Sequence, residues 1–297
     1  MAAAGGSPLL NLTETSSGLT IRLGTTPVLG YHNGRAGHKP YLHPLCAPDG
    51  TVLTDDAPAD HPHHHGAWIA HHLVSCTSGQ WDFYLERGDE RQGKQVQITL
   101  ELLQVSGPQV AFQARHAWVS PRGDAPATAH WHVAVRLLFP SMLAVDWAIA
   151  LTTREPCTFS PTNESAFPLI RPIPALTVRA GASMWNSRGQ CNEGQTFGRP
   201  AEWVAVSNTI ADRRYGIALL DHPDNPHAPQ PWFTRDYGPF GPHFSYFSEP
   251  LVIPPWRPLL LRYRLLLYGG SSEQADIQEA WQNYAIASQL GIASLER

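Results

Sequence analysis

Apolar and polar residues alternate along much of the chain, with a period of two residues. Over residues 131–139 every second residue is apolar, and His132 and Arg136 occupy positions between them. The same alternation returns over residues 143–151, shortly after a break at Pro140. A period of two is typical of half-buried strands, so these two segments predict a β-hairpin. Three further segments alternate in the same way: 96–103, 110–118 and 259–268.

One segment near the C-terminus has helical spacing instead. Its apolar face consists of Ile277, Ala280, Trp281 and Tyr284. Ser271 or Ser272 is suited to cap the first turn of this helix. Proline and glycine are frequent, at 27 and 24 residues, which favours short strands joined by turns elsewhere. The sequence therefore predicts one domain over residues 1–297. It would be a large antiparallel all-β sandwich, with its core at about residues 17–270 and a short helix at about 272–287.

Composition and charge indicate which classes of molecule this protein is expected to bind. Charged residues make up 15% of the chain and the formal net charge is -4, so the basic surface typical of nucleic-acid binding is not indicated. The most apolar stretch, residues 134–151, is interrupted by Arg136, Pro140 and Asp146, whereas a membrane-spanning helix needs about 20 mostly apolar residues. We therefore expect a small-molecule partner, no nucleic acid and no membrane, with a homo-oligomer as an open alternative.

Two features bear on the cellular compartment. The first residues, MAAAGGSPLLNLTE, lack the basic start and long apolar run of a secretory signal. The four cysteines are widely spaced: Cys46, Cys76, Cys157 and Cys191. Because no two of them form a CxxC pair, reduced thiols are expected rather than a disulfide framework or a zinc knuckle. Together these features predict a cytoplasmic protein.

The densest chemical feature is a run of histidines. Residues 60–72 read DHPHHHGAWIAHH and contain six of the chain's 15 histidines. In an extended chain His63 and His65 would project to one face, where they could chelate Zn, Fe, Mn or Cu. The candidate metal ligands are His61, His63, His64 and His65. A further ligand must then come from elsewhere, because residues 66–69 are Gly-Ala-Trp-Ile and lack the glutamate of a cupin-like site.

The same run also suits acid–base chemistry without a metal. A histidine with a pKa near 6.5 can exchange protons with a bound hydroxyl or carbonyl, and Asp60 could fix its tautomer. Gly66 allows a turn or the close approach of a ligand. Solvated loop histidines are the structural alternative, and His71 and His72 are interpreted as strand-edge or core residues.

A second polar loop echoes the first. Residues 221–223 repeat the Asp-His-Pro triplet of residues 60–62, and the stretch that they open also contains Asn225 and Trp232. A proline-rich polar loop of this kind favours ligand binding, with a stiff surface crossover as the alternative.

Two glutamates are candidates for a general base. Glu164 and Glu193 both lie in polar segments, and Arg171 could hold an anionic or polarised oxygen. A structural ion pair is the alternative for each glutamate, and it is the favoured interpretation for Glu193.

Several of these motifs together resemble the bacterial PmoA-like proteins. The matching positions are His43-Pro44, Asp60 to Gly66, Glu164 with Arg171, Asn186 with Gly189 and Trp203, Gly216 to Pro226 with Trp232, and Leu261 to Arg264. They span roughly residues 35–270. His65 stands where that family often has Arg, which puts an anion-binding role of this position in doubt. The resemblance implies a galactose-mutarotase-like supersandwich, a fold used by sugar epimerases, polysaccharide lyases and some glycosidase domains. The methane-oxygenase activity that the family name suggests is not expected, because that membrane enzyme needs several spanning helices.

The residues and the resemblance predict a carbohydrate-active protein, with an isomerase or a lyase favoured. It would act on a sugar or keto-sugar derivative by general acid–base catalysis, with His64 or His61 as the acid, Glu164 as the base, and Asp60 orienting a histidine. The residues expected to bind the substrate are His43, His63, Arg171, Asn186, Asp221, His222, Asn225 and Trp232. This interpretation requires no cofactor. A histidine-cluster metalloenzyme with a divalent metal and a non-catalytic sugar-binding module are the alternatives.

Overall fold

The computed structural model describes residues 9–34, 39–162, 164–244, 250–255, 257–270 and 274–287. The strands in these ranges are β1 (Leu10–Thr15), β2 (Gly18–Leu23), β3 (Thr26–His32), β4 (Tyr41–Leu45), β5 (Ala67–Trp68), β6 (Val74–Cys76), β7 (Gly79–Trp81), β8 (Lys94–Gln104), β9 (Ser106–Gly107), β10 (Gln109–Val119), β11 (Ala127–Phe139), β12 (Met142–Thr153), β13 (Cys157–Phe159), β14 (Leu169–Ile170), β15 (Ser183–Asn186), β16 (Trp203–Ile210), β17 (Arg213–Asp221), β18 (Trp232–Thr234), β19 (Phe240–Pro242), β20 (Leu251–Ile253) and β21 (Leu259–Gly269). The helices are α1 (Asn192–Thr196) and α2 (Gln274–Ala287), with 3-10 turns at Pro174–Leu176 and Val178–Ala180.

The strands form three antiparallel sheets. A nine-stranded sheet has the order β18-β19-β14-β5-β4-β3-β2-β1-β9, and an eight-stranded sheet has the order β15-β16-β17-β21-β12-β11-β10-β8. A small sheet has the order β20-β13-β6-β7. The prediction of a large antiparallel all-β fold is confirmed.

The predicted hairpin is β11 and β12. In its register Trp131 lies opposite Ile149 and Val133 lies opposite Trp147. The rings of Trp131 and Trp147 pack edge to face with their centroids 4.7 Å apart, whereas His132 on the other face is half-buried. The period of two thus separates a face that lies in the core from a face that is more exposed to solvent, as the sequence indicates.

The main core lies between the two large sheets. The largest cluster of buried side chains includes Ile21 and Leu29 from the nine-stranded sheet, and Val133 and Leu265 from the eight-stranded sheet. Because alternate residues of a strand point to opposite faces, this shared core requires the two sheets to pack face to face. The molecule is therefore a sandwich.

Helix α2 covers part of the outer face of the eight-stranded sheet. Its buried face consists of Ile277, Ala280 and Tyr284. These side chains pack against residues that include Ala144 and Leu266, whose neighbours in sequence face the inner core. The predicted helix is confirmed, and the proposed caps Ser271 and Ser272 lie outside the described residues. No helix in the described part of the chain is long and apolar enough to cross a lipid bilayer.

Candidate functional site

The histidine loop, residues 60–66, lies directly before β5 and forms turns. The amide of His61 donates a hydrogen bond of 3.0 Å to the carbonyl of Pro58, and the amide of His64 donates one of 2.9 Å to the carbonyl of His61. The extended geometry considered for a chelating pair is therefore not adopted here, because the turns change the direction of successive side chains.

Gly66 ends the loop where the chain passes close to β4. Its φ is 34°, and a Cβ atom built on it would lie 2.2 Å from the carbonyl oxygen of Leu42. Its carbonyl accepts a 2.7 Å hydrogen bond from the amide of Arg171, the residue after β14. A side chain does not fit at this position, and the close approach brings Arg171 beside the loop.

Three side chains contact one another in a row at the loop: the Arg171 guanidinium, the Asp60 carboxylate and the His61 imidazole. Arg171 Nη2 donates to both oxygens of Asp60 at 2.9 Å. His61 Nδ1 lies 3.0 Å from Asp60 Oδ2, within ion-pair distance but without hydrogen-bond geometry. Burial alone would raise the pKa of Asp60, but its contacts with the Arg171 guanidinium lower that pKa below its ordinary value. The His61 ring stacks on Tyr237, with centroids 5.1 Å apart, and keeps 33% of its side chain exposed. The His61 ring is therefore held between Asp60 and Tyr237 and remains partly accessible to solvent.

His64 lies beneath His61 and is buried. The two rings stack with centroids 4.6 Å apart, and His64 Nε2 lies 3.0 Å from the Tyr84 hydroxyl oxygen. Burial, reinforced by the neighbouring His63 and His61, holds the pKa of His64 far below its ordinary value. Burial and the Lys39 charge lower the pKa of the half-buried His63 to about 4. Both rings are therefore neutral near pH 7, so they offer hydrogen bonds rather than positive charge.

A chain of paired acidic and basic side chains lies behind the loop. His65 Nδ1 lies 2.6 Å from Asp56 Oδ1, and its Nε2 lies 3.2 Å from both oxygens of Glu86. Lys39 Nζ lies 2.6 Å from Glu86 Oε1 and donates to the His63 carbonyl at 3.1 Å. Burial would lower the pKa of His65, but hydrogen bonds to Asp56 and Glu86 raise it above its ordinary value. These ion pairs and hydrogen bonds stabilise the loop.

The four histidines named as candidate metal ligands do not converge on one point. Both ring nitrogens of His65 face carboxylates, and His64 Nε2 faces a tyrosine hydroxyl. In the described ranges, no three His, Cys, Asp or Glu side chains are grouped so that they could hold a metal ion.

His43 and Glu164 lie at the margin of the site. His43 Nδ1 lies 3.1 Å from the Thr54 hydroxyl oxygen, and burial lowers the pKa of His43. Glu164 is exposed, and among the described residues its carboxylate has no hydrogen-bond or ion-pair partner. Burial does most to raise the pKa of Tyr84, and the charge of Glu164 adds to it, which places this carboxylate near the site.

The second Asp-His-Pro loop is built into the core. Asp221 accepts hydrogen bonds from Asn225 Nδ2 at 2.7 Å and from the Gln230 amide at 2.9 Å. Asn225 also exchanges two 2.7 Å hydrogen bonds with the main chain of Arg262. Trp232 is fully buried and donates through Nε1 to a main-chain carbonyl at 2.8 Å. The structure assigns these residues contacts that hold strands and loop together, and it does not bring them to the histidine loop.

His222 and Asn186 also lie elsewhere. His222 is buried at a separate cavity of about 150 Å³ that Trp281 of α2 also lines. Burial lowers the pKa of His222 to about 4. The side-chain oxygen of Asn186 accepts two main-chain amides of the turn that follows β15, each at 3.0 Å. Asn186 thus stabilises a turn.

Glu193 supports the site indirectly. It pairs with Arg235 at 2.8 Å and accepts the amide of Asp236 at 2.9 Å. The next residue is Tyr237, whose ring stacks on His61. The ion-pair interpretation of Glu193 is confirmed.

Sequence reasoning missed several residues of the site. They are Lys39, Asp56, Tyr84, Glu86 and Tyr237. None belongs to a spaced motif, and Lys39 and Glu86 are 47 residues apart in sequence. Only the fold shows that their charges pair.

The chain is similar to one described family and to solved structures of low identity. A family model described as "Family of unknown function (DUF6807)" matches residues 18–282, and it does not support the PmoA-like name. No curated protein matches the chain. A GalM/aldose epimerase homologue from C. elegans is 9% identical with a TM-score of 0.38, over 90% of this chain and 100% of that one. The Slr1438 protein from Synechocystis sp. PCC 6803 is 12% identical with a TM-score of 0.36, over 92% of this chain and 100% of that one.

Proposed function

The chain belongs to the DUF6807 family, whose function is unknown, and we propose that it is a carbohydrate-active enzyme with its catalytic centre at the histidine loop. The reaction is proton transfer on a sugar or keto-sugar: at the anomeric and ring oxygens in mutarotation, or at the carbon next to the carbonyl in epimerisation and elimination. The observation that carries the proposal is the ordered contact from Arg171 through Asp60 to the accessible ring of His61.

His61 is the proton-transfer group of this proposal. Its Nδ1 faces Asp60, and among the described residues its Nε2 has no partner, so that nitrogen is free for a substrate proton. The neighbouring carboxylate stabilises the imidazolium that forms when the ring takes up a proton. Glu164, exposed and unpaired among the described residues, is the second group, so that one of the two accepts a proton while the other donates one.

His64 has a positioning role rather than the acid role first considered for it. Its buried, neutral ring supports His61 from below and is held by Tyr84 at 3.0 Å. A buried ring with so low a pKa does not supply a proton readily near pH 7. This makes His61 the better candidate acid.

The polarity of the site suits a ligand rich in hydroxyl groups. The buried cations Lys39 and Arg171 are each neutralised by a carboxylate, Glu86 and Asp60. The neutral ring of His63 adds a hydrogen-bonding group with no net charge. Two further nitrogens of Arg171, Nε and Nη1, are buried and have no hydrogen-bond partner among the described residues, which leaves their N–H groups to an oxygen of a ligand that enters the site.

The test uses solvent-deuterium exchange. Full-length protein without a histidine tag is incubated in D2O with aldoses, ketoses and uronic acids, and NMR follows anomer interconversion and deuterium uptake next to the carbonyl. One sugar class should react, and His61→Gln should lower its rate at least about 100-fold, the usual contribution of a general acid or base.

The matched control is His227→Asn. His227 lies outside the site at a φ of 61°, a conformation that Asn tolerates, so this variant should keep the full rate. Full activity in His61→Gln would remove His61 from the mechanism. Sugar binding with neither anomer interconversion nor deuterium uptake would favour the binding module. Stoichiometric metal by elemental analysis, lost in His61→Gln, would favour the metalloenzyme.

A further inference from the structure

Two cysteines lie opposite each other on neighbouring strands of the small sheet. In the pairing of β6 with β13, Ser75 lies opposite Thr158, and the same register continued by one residue sets Cys76 against Cys157. Their Sγ atoms are 2.8 Å apart. The two strands bring together side chains that are 81 residues apart in sequence.

We propose that Cys76 and Cys157 form a dithiol site that reacts with a low-molecular-weight disulfide and closes to an intramolecular disulfide. The sequence favours reduced, scattered thiols, so this pairing is a property of the fold. The proposal is independent of the function assigned to the histidine loop.

The Cys76 and Cys157 thiols differ in their exposure to solvent, and this difference determines which thiol reacts first. Cys157 is fully buried and Cys76 is half-buried, so the reagent meets Cys76 first. A hydrogen bond from the Cys157 thiol lowers the pKa of Cys76, against an opposing effect of burial. Thiolate character at the accessible sulfur is what thiol–disulfide exchange requires.

The thiol–disulfide exchange proceeds in two steps, and atoms and electrons balance in each. The Cys76 thiolate attacks one sulfur of the small disulfide, a mixed disulfide forms at Cys76, and one small thiolate leaves. Cys157 then attacks the Cys76 sulfur, and its proton passes to the second small thiolate as that group leaves. Two protein thiols are oxidised to one disulfide, and the small disulfide is reduced to two thiols.

The closed disulfide would tie β6, which follows the histidine run of residues 60–72, to β13. Cross-linking two distant residues restricts the unfolded chain, so oxidation should also raise the thermal midpoint of unfolding by several degrees.

The experiment uses full-length, reduced protein carrying Cys191→Ser, because Cys191 is exposed and would form its own adduct. The protein is incubated with oxidised glutathione, quenched in acid, and alkylated under denaturing conditions for mass spectrometry. We expect two thiols to be lost, a mass lower by two hydrogen atoms, and a peptide pair linking residue 76 to residue 157.

Variants separate the two steps. Adding Cys157→Ser should stop the reaction at one glutathione on Cys76, and adding Cys76→Ser should leave Cys157 free. Adding Cys46→Ser, the matched change at a buried cysteine outside the pair, should leave closure intact. Retention of both thiols in the Cys191→Ser protein, or a glutathione adduct that persists at Cys76 beside an intact Cys157, would overturn the proposal.

Discussion

Four neighbouring histidines of one loop have four different environments. His61 is partly exposed beside a carboxylate, and His63 is neutral with a pKa of about 4. His64 is buried and neutral, whereas contacts with two carboxylates raise the pKa of His65. Residues of one type therefore divide into a partly exposed ring, two neutral rings and a ring whose protonated form two carboxylates favour.

A residue-scale prediction concerns Asn225. Asn225→Ala removes three hydrogen bonds and leaves main-chain groups of Arg262 and one oxygen of Asp221 without their partner. Leaving buried polar groups unsatisfied costs about 1–3 kcal/mol, so the free energy of unfolding should fall by roughly 2 kcal/mol. Urea unfolding measures the change.

Asn283→Ala is the matched control, because Asn283 is exposed on α2. It should change the free energy of unfolding by less than about 0.5 kcal/mol. Equal effects of the two substitutions would contradict the structural role of Asn225. Loss of sugar turnover without loss of stability would restore the binding role first expected for it.

At the scale of elements, the site depends on how three strands meet. The loop reaches β5 through Gly66, which passes close to β4 and pairs with the residue that follows β14. These strands are neighbours in the order β14-β5-β4 although they are distant in sequence. Their adjacency brings Arg171 to Asp60.

The corresponding prediction is that Gly66→Ala damages the site and the fold together. Its positive φ costs about 1–2 kcal/mol for a residue with a Cβ atom, and overlap with the Leu42 carbonyl adds roughly 1–3 kcal/mol. Thermal and urea unfolding should both show the loss, and deuterium exchange of a reactive sugar should slow.

The variant Gly189→Ala distinguishes the cost of a positive φ from the cost of steric overlap. Gly189 has a φ of 72°, but a Cβ atom there would meet no other atom within 4 Å. This variant should lose only the conformational part, about 1–2 kcal/mol. Identical losses at both positions would show that the contact between the loop and β4 is looser than the structure has it.

For the whole molecule, burial keeps several histidines uncharged in different parts of the sandwich. Burial is the main cause of the lowered pKa in each: about 4 for His63, His71 and His222, and about 3 for His116. The unfolded chain takes up these protons below about pH 6.5, whereas the folded chain does not. Their contribution to stability is complete above that pH and is lost as the pH falls toward 4.

Two groups act in the opposite direction. Burial raises the pKa of Asp221 to about 7, so its contribution to stability is lost as the pH rises from about 4 to 7. The raised pKa of His65 favours the folded state below that pKa, and this contribution is lost as the pH rises through it. Burial also lowers the pKa of His43, His64 and His243. The histidines with a lowered pKa therefore outnumber these two groups, so the free energy of unfolding should decrease from pH 7 to pH 5.

His116→Gln isolates one of these groups. His116 is fully buried and shares a 2.8 Å hydrogen bond with the Tyr31 hydroxyl, which glutamine can keep. The variant should be less stable at pH 7 but should lose roughly 2 kcal/mol less than the natural chain between pH 7 and pH 5. Urea unfolding at both pH values measures this difference. Equal losses would show that His116 takes up its proton in the folded state.

The fold class, the hairpin of β11 with β12, and the apolar face of α2 could all be predicted from the amino-acid sequence. These features follow from periodicity, because one buried face imposes a period of two on strands and of 3.6 on helices. The histidine loop also stood out, because its polar residues are contiguous. Asp60, His61, His63 and Arg171 are neighbours in the structure.

Which polar residues share a surface depends on the tertiary fold. The repeated Asp-His-Pro triplet looks alike in both loops, yet Asp221 is buried beneath α2 while Asp60 meets Arg171 at the histidine loop. Periodicity and composition record how exposed a position tends to be, but not which distant strand lies beside it. The pairing of Lys39 with Glu86, the closeness of Cys76 to Cys157, and the pKa of each histidine depend on that strand order.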